Sequence, residues 1–149
     1  MVSTGGIAIS PDMDPRALLG ALGLKLTRPR IRVLEQLLAH ARKGGHIAAE
    51  QIYVALGKDG ESVSLGTIYR TLALLETHKI VTRQRFHQGA TVYELVKAHT
   101  HHHMIDPANR EIIEFSDPLI ETRLRALASE RGYRYLDSEL TVYIQPHNR

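Results

Sequence analysis

Apolar residues recur at helical spacing through the first half of the chain and at strand spacing after it. Asp14-Pro15 opens a short helix through Leu18, Leu19, Leu22 and Leu24, with aspartate suited to the cap and proline to the first turn. Thr27-Arg28-Pro29-Arg30 repeats that signal, and Leu34, Leu37, Leu38 and Ala41 follow at the i, i+3, i+4, i+7 spacing of a helix with one buried face, stopped by Gly44-Gly45. Ile52, Ala55 and Leu56 mark the next helix, ended by Gly57 and Gly60. Ser62-Val63-Ser64 then leads into an amphipathic helix with Leu65, Ile68, Leu72 and Leu75 as its inner stripe.

The period then changes. Ile80 to Phe86 and Thr91 to Leu95 are β-prone runs joined by His87-Gln88-Gly89-Ala90, which predicts a hairpin with glycine in the turn. Beyond it the pattern predicts a strand over 102–106, a turn at Asp106-Pro107-Ala108-Asn109, a strand from Arg110 to Phe115 and a helix from Asp117 to Arg131 with Leu124 and Leu127 inward. Two further strands are predicted, Tyr133 to Asp137 and Leu140 to Ile144. The expected fold class is α+β, with a winged helix-turn-helix domain over residues 1–96 followed by a small α/β dimerisation domain over residues 97–149. So few elements in the second part make a thin core, which predicts a homodimer built through it.

Rotation of about 100° per residue sets Gly66, Arg70 and Leu74 opposite the inner stripe of the fourth helix, with Thr67 and Tyr69 on its flanks. An outward arginine flanked by threonine and tyrosine near the start of that helix is what a major-groove reading head needs. Arg83 and Arg85 fall where a wing would touch phosphate, and Lys25, Arg28 and Arg30 suit phosphate or minor-groove contacts. Charge agrees with this division: residues 1–96 hold 12 Lys and Arg against 8 Asp and Glu, whereas residues 97–149 hold 7 against 8. Only the first part is expected to face a polyanion, and double-stranded DNA is the expected partner.

Four histidines stand within five positions, His99-Thr100-His101-His102-His103. In an extended chain His101 and His103 share a face, about 7 Å apart along the strand, and can hold a divalent transition metal together. The chain has no cysteine, so disulfides, thiolate catalysis and every cysteine-based zinc site are excluded and any metal must be held by nitrogen and oxygen. There is no His-Glu-x-x-His and no nucleophile pairing, so an enzyme is not expected. No apolar run approaches the roughly 20 residues that cross a bilayer, and the N-terminus lacks a basic segment ahead of an apolar one; a cytoplasmic protein is expected.

Read in order, Gly23-Leu24-Lys25-Leu26-Thr27-Arg28-Pro29-Arg30, Thr67-Ile68-Tyr69-Arg70-Thr71-Leu72, Tyr93-Glu94-Leu95, His101-His102-His103 and Ile113-Glu114-Phe115 make a chain that resembles the ferric uptake regulator family over roughly residues 20 to 145. The resemblance implies a dimeric, metal-dependent transcriptional regulator, a repressor of iron or related metal homeostasis, that binds an AT-rich palindrome. It also implies one regulatory metal per subunit at the hinge between domains, held by His46, Glu94, His101 and His103 with Glu114 as a further ligand. Fe(II) is the ion implied in the cell, with Mn(II) or Zn(II) as alternatives. The implied second site falls at Thr100, His102, Glu121 and Ser138; two of its four ligands are gone, leaving it absent or rebuilt weakly from His99 or His102 with Glu121. The cysteine pair that holds structural zinc in many relatives is replaced by Asp106 and Asn109. The triple histidine is also similar to the haem-sensing iron response regulator branch, which makes haem an alternative ligand, and a metal-free winged-helix interaction module is a further alternative.

Overall fold

A computed structural model describes residues 9–43, 45–86, 91–97 and 101–148. Contacts divide the chain into two compact units, Met1–Ala98 and His99–Arg149. Among the described residues no helix is long and apolar enough to cross a membrane.

Unit 1 contains α1 (Pro15–Ala21), α2 (Arg28–Arg42), α3 (Ala49–Lys58), α4 (Leu65–Thr77), β1 (Val81–Arg85) and β2 (Thr91–Leu95). Asp14, Thr27 and Ser64 cap α1, α2 and α4, each side chain accepting from the backbone N–H three residues on. Helix α3 starts at Ala48, whose own N–H donates to Gln51 Oε1 at 2.8 Å. The apolar faces of the four helices meet in one core of Leu18, Leu34, Leu37, Ile52, Leu56, Ile68, Leu72 and Leu75, all at most 2% exposed. Strands β1 and β2 pair antiparallel, Val81 opposite Leu95 and Arg85 opposite Thr91, and extend the same core with Val81, Tyr93 and Leu95. The turn expected at His87 to Ala90 lies outside the described residues.

Helix α4 ends in a specific way. Ile80 N–H donates to the Leu75 carbonyl and Lys79 N–H to the Glu76 carbonyl, both at 2.9 Å, with Lys79 at φ 56°. This is a Schellman ending, in which the residue after the cap must be left-handed. Helices α1 and α3 close with the same two bonds around Gly23 and Gly60.

Unit 2 contains β3 (His102–Asp106), β4 (Glu111–Phe115), α5 (Pro118–Glu130) and β5 (Thr141–Tyr143). Strand β3 is central, antiparallel to β4 with His103 opposite Glu114, and parallel to β5 with Met104 opposite Val142. The tight β3–β4 connection puts Arg110 at φ 62°. This core is thin: α5 buries no residue fully, and Leu124 and Leu127 are only half-buried. Leu119, Tyr133 and Leu136 remain more than 70% exposed.

Three expectations need correction. Leu22, the C-cap, and Leu24 lie beyond α1, which ends at Ala21, because Gly23 at φ 68° turns the chain there. Gly57 does not end α3, which runs on to Lys58; Gly60, at φ 78°, makes the turn. Tyr133 to Asp137 is not a strand. Tyr135 is turned toward α5 by its hydroxyl, which donates to Glu121.

Candidate metal centre and nucleic-acid face

In unit 1 a two-way backbone bridge fixes the first metal candidate. Ile47 N–H donates to the Tyr93 carbonyl at 2.9 Å and Tyr93 N–H returns to the Ile47 carbonyl at 2.8 Å. The residues beside that bridge, His46 and Glu94, are thereby set together, with Nε2 of His46 3.1 Å from Oε2 of Glu94 and both side chains at most 4% exposed. Gln84 Nε2 donates to Glu94 Oε1 at 3.3 Å from the neighbouring strand, and Lys97 Nζ lies 3.7 Å from Oε2. Phe86 stands edge-on to the His46 ring, centroids 6.3 Å apart.

In unit 2 the alternation of β3, together with His101 just ahead of it, sorts the histidines. The His101 and His103 rings meet edge to face at 4.9 Å, and ladder register brings Glu114 opposite His103. His103 is fully buried, with Nδ1 3.6 Å from Oε1 of Glu139. His102 points to the other face, 2.6 Å from Glu121 and packed on Phe115. The structure thus groups His46 with Glu94, and His101 with His103 and Glu114. His99 lies outside the described residues.

Imidazole nitrogen and carboxylate oxygen are suitable donors for Fe(II), Mn(II) or Zn(II), and each grouping mixes the two. The donor set therefore fits the ion that the family resemblance implied.

The candidate DNA face is built on α4. Ser64 Oγ caps the helix and donates to Thr67 Oγ1 at 2.9 Å; Arg70 Nη2 donates to the same Thr67 oxygen at 3.0 Å. Arg70 is exposed and Tyr69 40% exposed. The Tyr69 hydroxyl donates to Glu50 Oε1 at 2.5 Å, which holds the Glu50 carboxyl below its usual range and pushes the phenol up. Lys25 is exposed, and its carbonyl accepts from Arg30 Nη1 at 3.0 Å.

Arg28 is exposed but engaged. Its Nε and Nη2 both donate to Glu61, at 2.9 and 2.6 Å, in a bidentate pair that lowers the Glu61 pKa. Arg32 joins Glu61 to Glu35 and Asp59. On β1, Arg83 lies 3.7 Å from Glu76 and Arg85 is exposed. Sequence reasoning did not find Glu50, Glu61 or Gln84. Glu50 and Glu61 lie 19 and 33 residues from their partners, where no local pattern reaches; Gln84, a polar residue inside a β-prone run, was a usable signal.

A profile of the ferric uptake regulator family matches residues 21–143. The ferric uptake regulation protein of Pseudomonas aeruginosa is 38% identical over 123 residues, covering 83% of this chain and 90% of its own. Among solved structures, the ferric uptake regulator of Vibrio cholerae superposes with a TM-score of 0.80 at 36% identity, over 89% of this chain and all of the other. That of Pseudomonas aeruginosa with manganese gives 0.75 at 36% identity, over 91% and 99%. Members of this family are metal-responsive transcription regulators that bind DNA and form dimers, and they are not enzymes. A helical unit closed by a hairpin, a second unit with alternating histidines and a match along most of the length lead to one conclusion: the chain belongs to the ferric uptake regulator family.

Proposed function

We propose that this protein is a homodimeric, iron-responsive repressor whose single regulatory ion per subunit is held by His46, Glu94, His101 and His103, with Glu114 as a further ligand. The observation that carries this reading is the sorting of donors. Backbone pairing alone puts His46 beside Glu94 in unit 1, and strand alternation puts His101 and His103 together opposite Glu114 in unit 2. A cation bound by both sets supplies a cross-link between the units. Its differential affinity for the joined arrangement is what biases DNA binding. Fe(II) is the ion in the cell, while Zn(II) and Mn(II) substitute in vitro; the similar Pseudomonas aeruginosa structure was solved with manganese.

On the DNA side, Tyr69 and Arg70 of α4 meet base edges with Thr67 orienting the arginine, while Lys25, Arg28, Arg30, Arg83 and Arg85 lie against phosphate or the minor groove of an AT-rich palindrome. The test is anisotropy of a labelled AT-rich palindromic duplex titrated with protein, with and without Mn(II) or Zn(II). Metal is expected to tighten binding at least tenfold, and the paired substitutions His101→Ala and His103→Ala to abolish that response while circular dichroism shows a folded chain. A full metal response in that variant overturns the ligand assignment. Binding that ignores metal in the unsubstituted protein overturns the sensor reading in favour of a metal-free winged-helix module.

A further inference from the structure

The second metal site implied by the family resemblance does not fit the residues found at its described positions. His102 Nδ1 accepts from the Leu140 backbone N–H at 3.2 Å. An amide nitrogen can only donate, so Nδ1 carries a lone pair and the ring proton sits on Nε2, which donates to Glu121 Oε1 at 2.6 Å. A histidine ligates through an unprotonated nitrogen. To ligate through Nε2, the nitrogen on the Glu121 side, the ring would have to carry its proton on Nδ1, where it would meet the Leu140 N–H, a donor against a donor.

The remaining groups are matched in the same way. Tyr135 O–H donates to Glu121 Oε2 at 2.7 Å, and Ser138 Oγ lies 2.7 Å from the tyrosine oxygen and 3.4 Å from both carboxylate oxygens. Phe115 covers the imidazole at 5.3 Å, and His102 is fully buried. With the phenol proton on Glu121, the Ser138 hydroxyl donates to the phenol oxygen, and the carboxylate has its charge met by the imidazole and phenol donors.

We infer that His102, Glu121, Tyr135 and Ser138 form a metal-independent tie that fixes α5 and residues 133–140 onto β3, and that the middle histidine of His101-His102-His103 is a structural residue rather than a ligand. Helix α5 has no fully buried side chain and packs through half-buried ones such as Leu124 and Leu127, so this polar junction adds to what holds it. The tie stands whether or not the ion proposed for His46, Glu94, His101 and His103 is bound.

The experiment uses the full chain, stripped by chelator and then titrated with Zn(II) alone. Long-range proton–nitrogen NMR should show one ring, assigned by its loss in His102→Gln, in the Nε2–H form without metal and unchanged at several equivalents of Zn(II). Tyr135→Phe should lower the melting temperature of the metal-free protein by about 3–8 °C. Glu121→Gln should bind as many equivalents of Zn(II) as the unsubstituted chain. Loss of the Nε2–H signal on adding Zn(II), an unchanged melting temperature in Tyr135→Phe, or one fewer equivalent in Glu121→Gln would each overturn the tie. Failure of the hinge reading is seen separately, as His101 and His103 signals that Zn(II) leaves unmoved.

Discussion

Replacing Lys79 by glycine should make the protein more stable. Lys79 occupies the left-handed position of the ending of α4, at φ 56°, where a β-carbon crowds the following carbonyl at a cost of roughly 1–2 kcal/mol. Glycine removes that crowding, but its freer unfolded chain returns about 0.5–1 kcal/mol, leaving a net gain of about 0.5–1 kcal/mol. The backbone bonds that define the ending survive the change, since they come from the N–H groups of Lys79 and Ile80. Glycine already stands at the equivalent position after α1, α3 and α5, at φ 68°, 78° and 80°. With about 2–4 °C per kcal/mol for a chain of this size, and more if unit 1 melts alone, the expected rise is about 1–5 °C. Thermal melts followed at 222 nm in chelator measure it. Lys79→Ala is the control, because it removes the same charge and keeps the β-carbon; a glycine variant no more stable than the alanine one would refute the reasoning.

Salt dependence separates the cationic residues proposed to meet DNA. Lys25→Ala should reduce the slope of log K against log salt by about 0.9, the share of one phosphate, whereas Arg28→Ala should change it less because two of its donors are on Glu61; equal losses in anisotropy titrations would count against this distinction. Acid should weaken the fold through Glu50, held down chiefly by the Tyr69 hydroxyl, and Glu61, held down chiefly by Arg28. Both folded values lie below the ordinary glutamate value of about 4.5, so their contribution is complete above that pH and disappears as pH falls through it toward the folded values. Urea midpoints measured from about pH 6 to pH 3 should therefore fall less steeply in the double variant Glu50→Gln, Glu61→Gln; parallel curves would contradict the assignment.

Local signals in the sequence carried the helices well, because a cap, a proline and a stripe of leucines act within a few residues of one another. Ser64 with Leu65, Ile68, Leu72 and Leu75 shows this: cap and stripe both stand in the structure, although Leu65 is only partly buried and Thr71 completes the buried face. What failed depended on neighbours distant in sequence. Tyr133 to Asp137 alternates like a strand, yet Tyr135 follows Glu121, 14 residues earlier. The grouping of His101 with His103 was legible from strand alternation alone, while the role of His102 was not, since it is set by Leu140, 38 residues on. Gly57 misled for a simpler reason: one glycine weakens a helix without ending it, and the turn waits for a positive φ.

The bridge between Ile47 and Tyr93 makes the segment ahead of α3 a rudimentary third strand beside the hairpin. Insertions in the connection that leaves α2 should therefore be absorbed before the histidine is reached, since its position is dictated by a neighbour in space rather than by the length of chain leading to it. A proline at position 47 would have the opposite effect: it would remove one of the two rungs and release the imidazole from its carboxylate without touching either side chain.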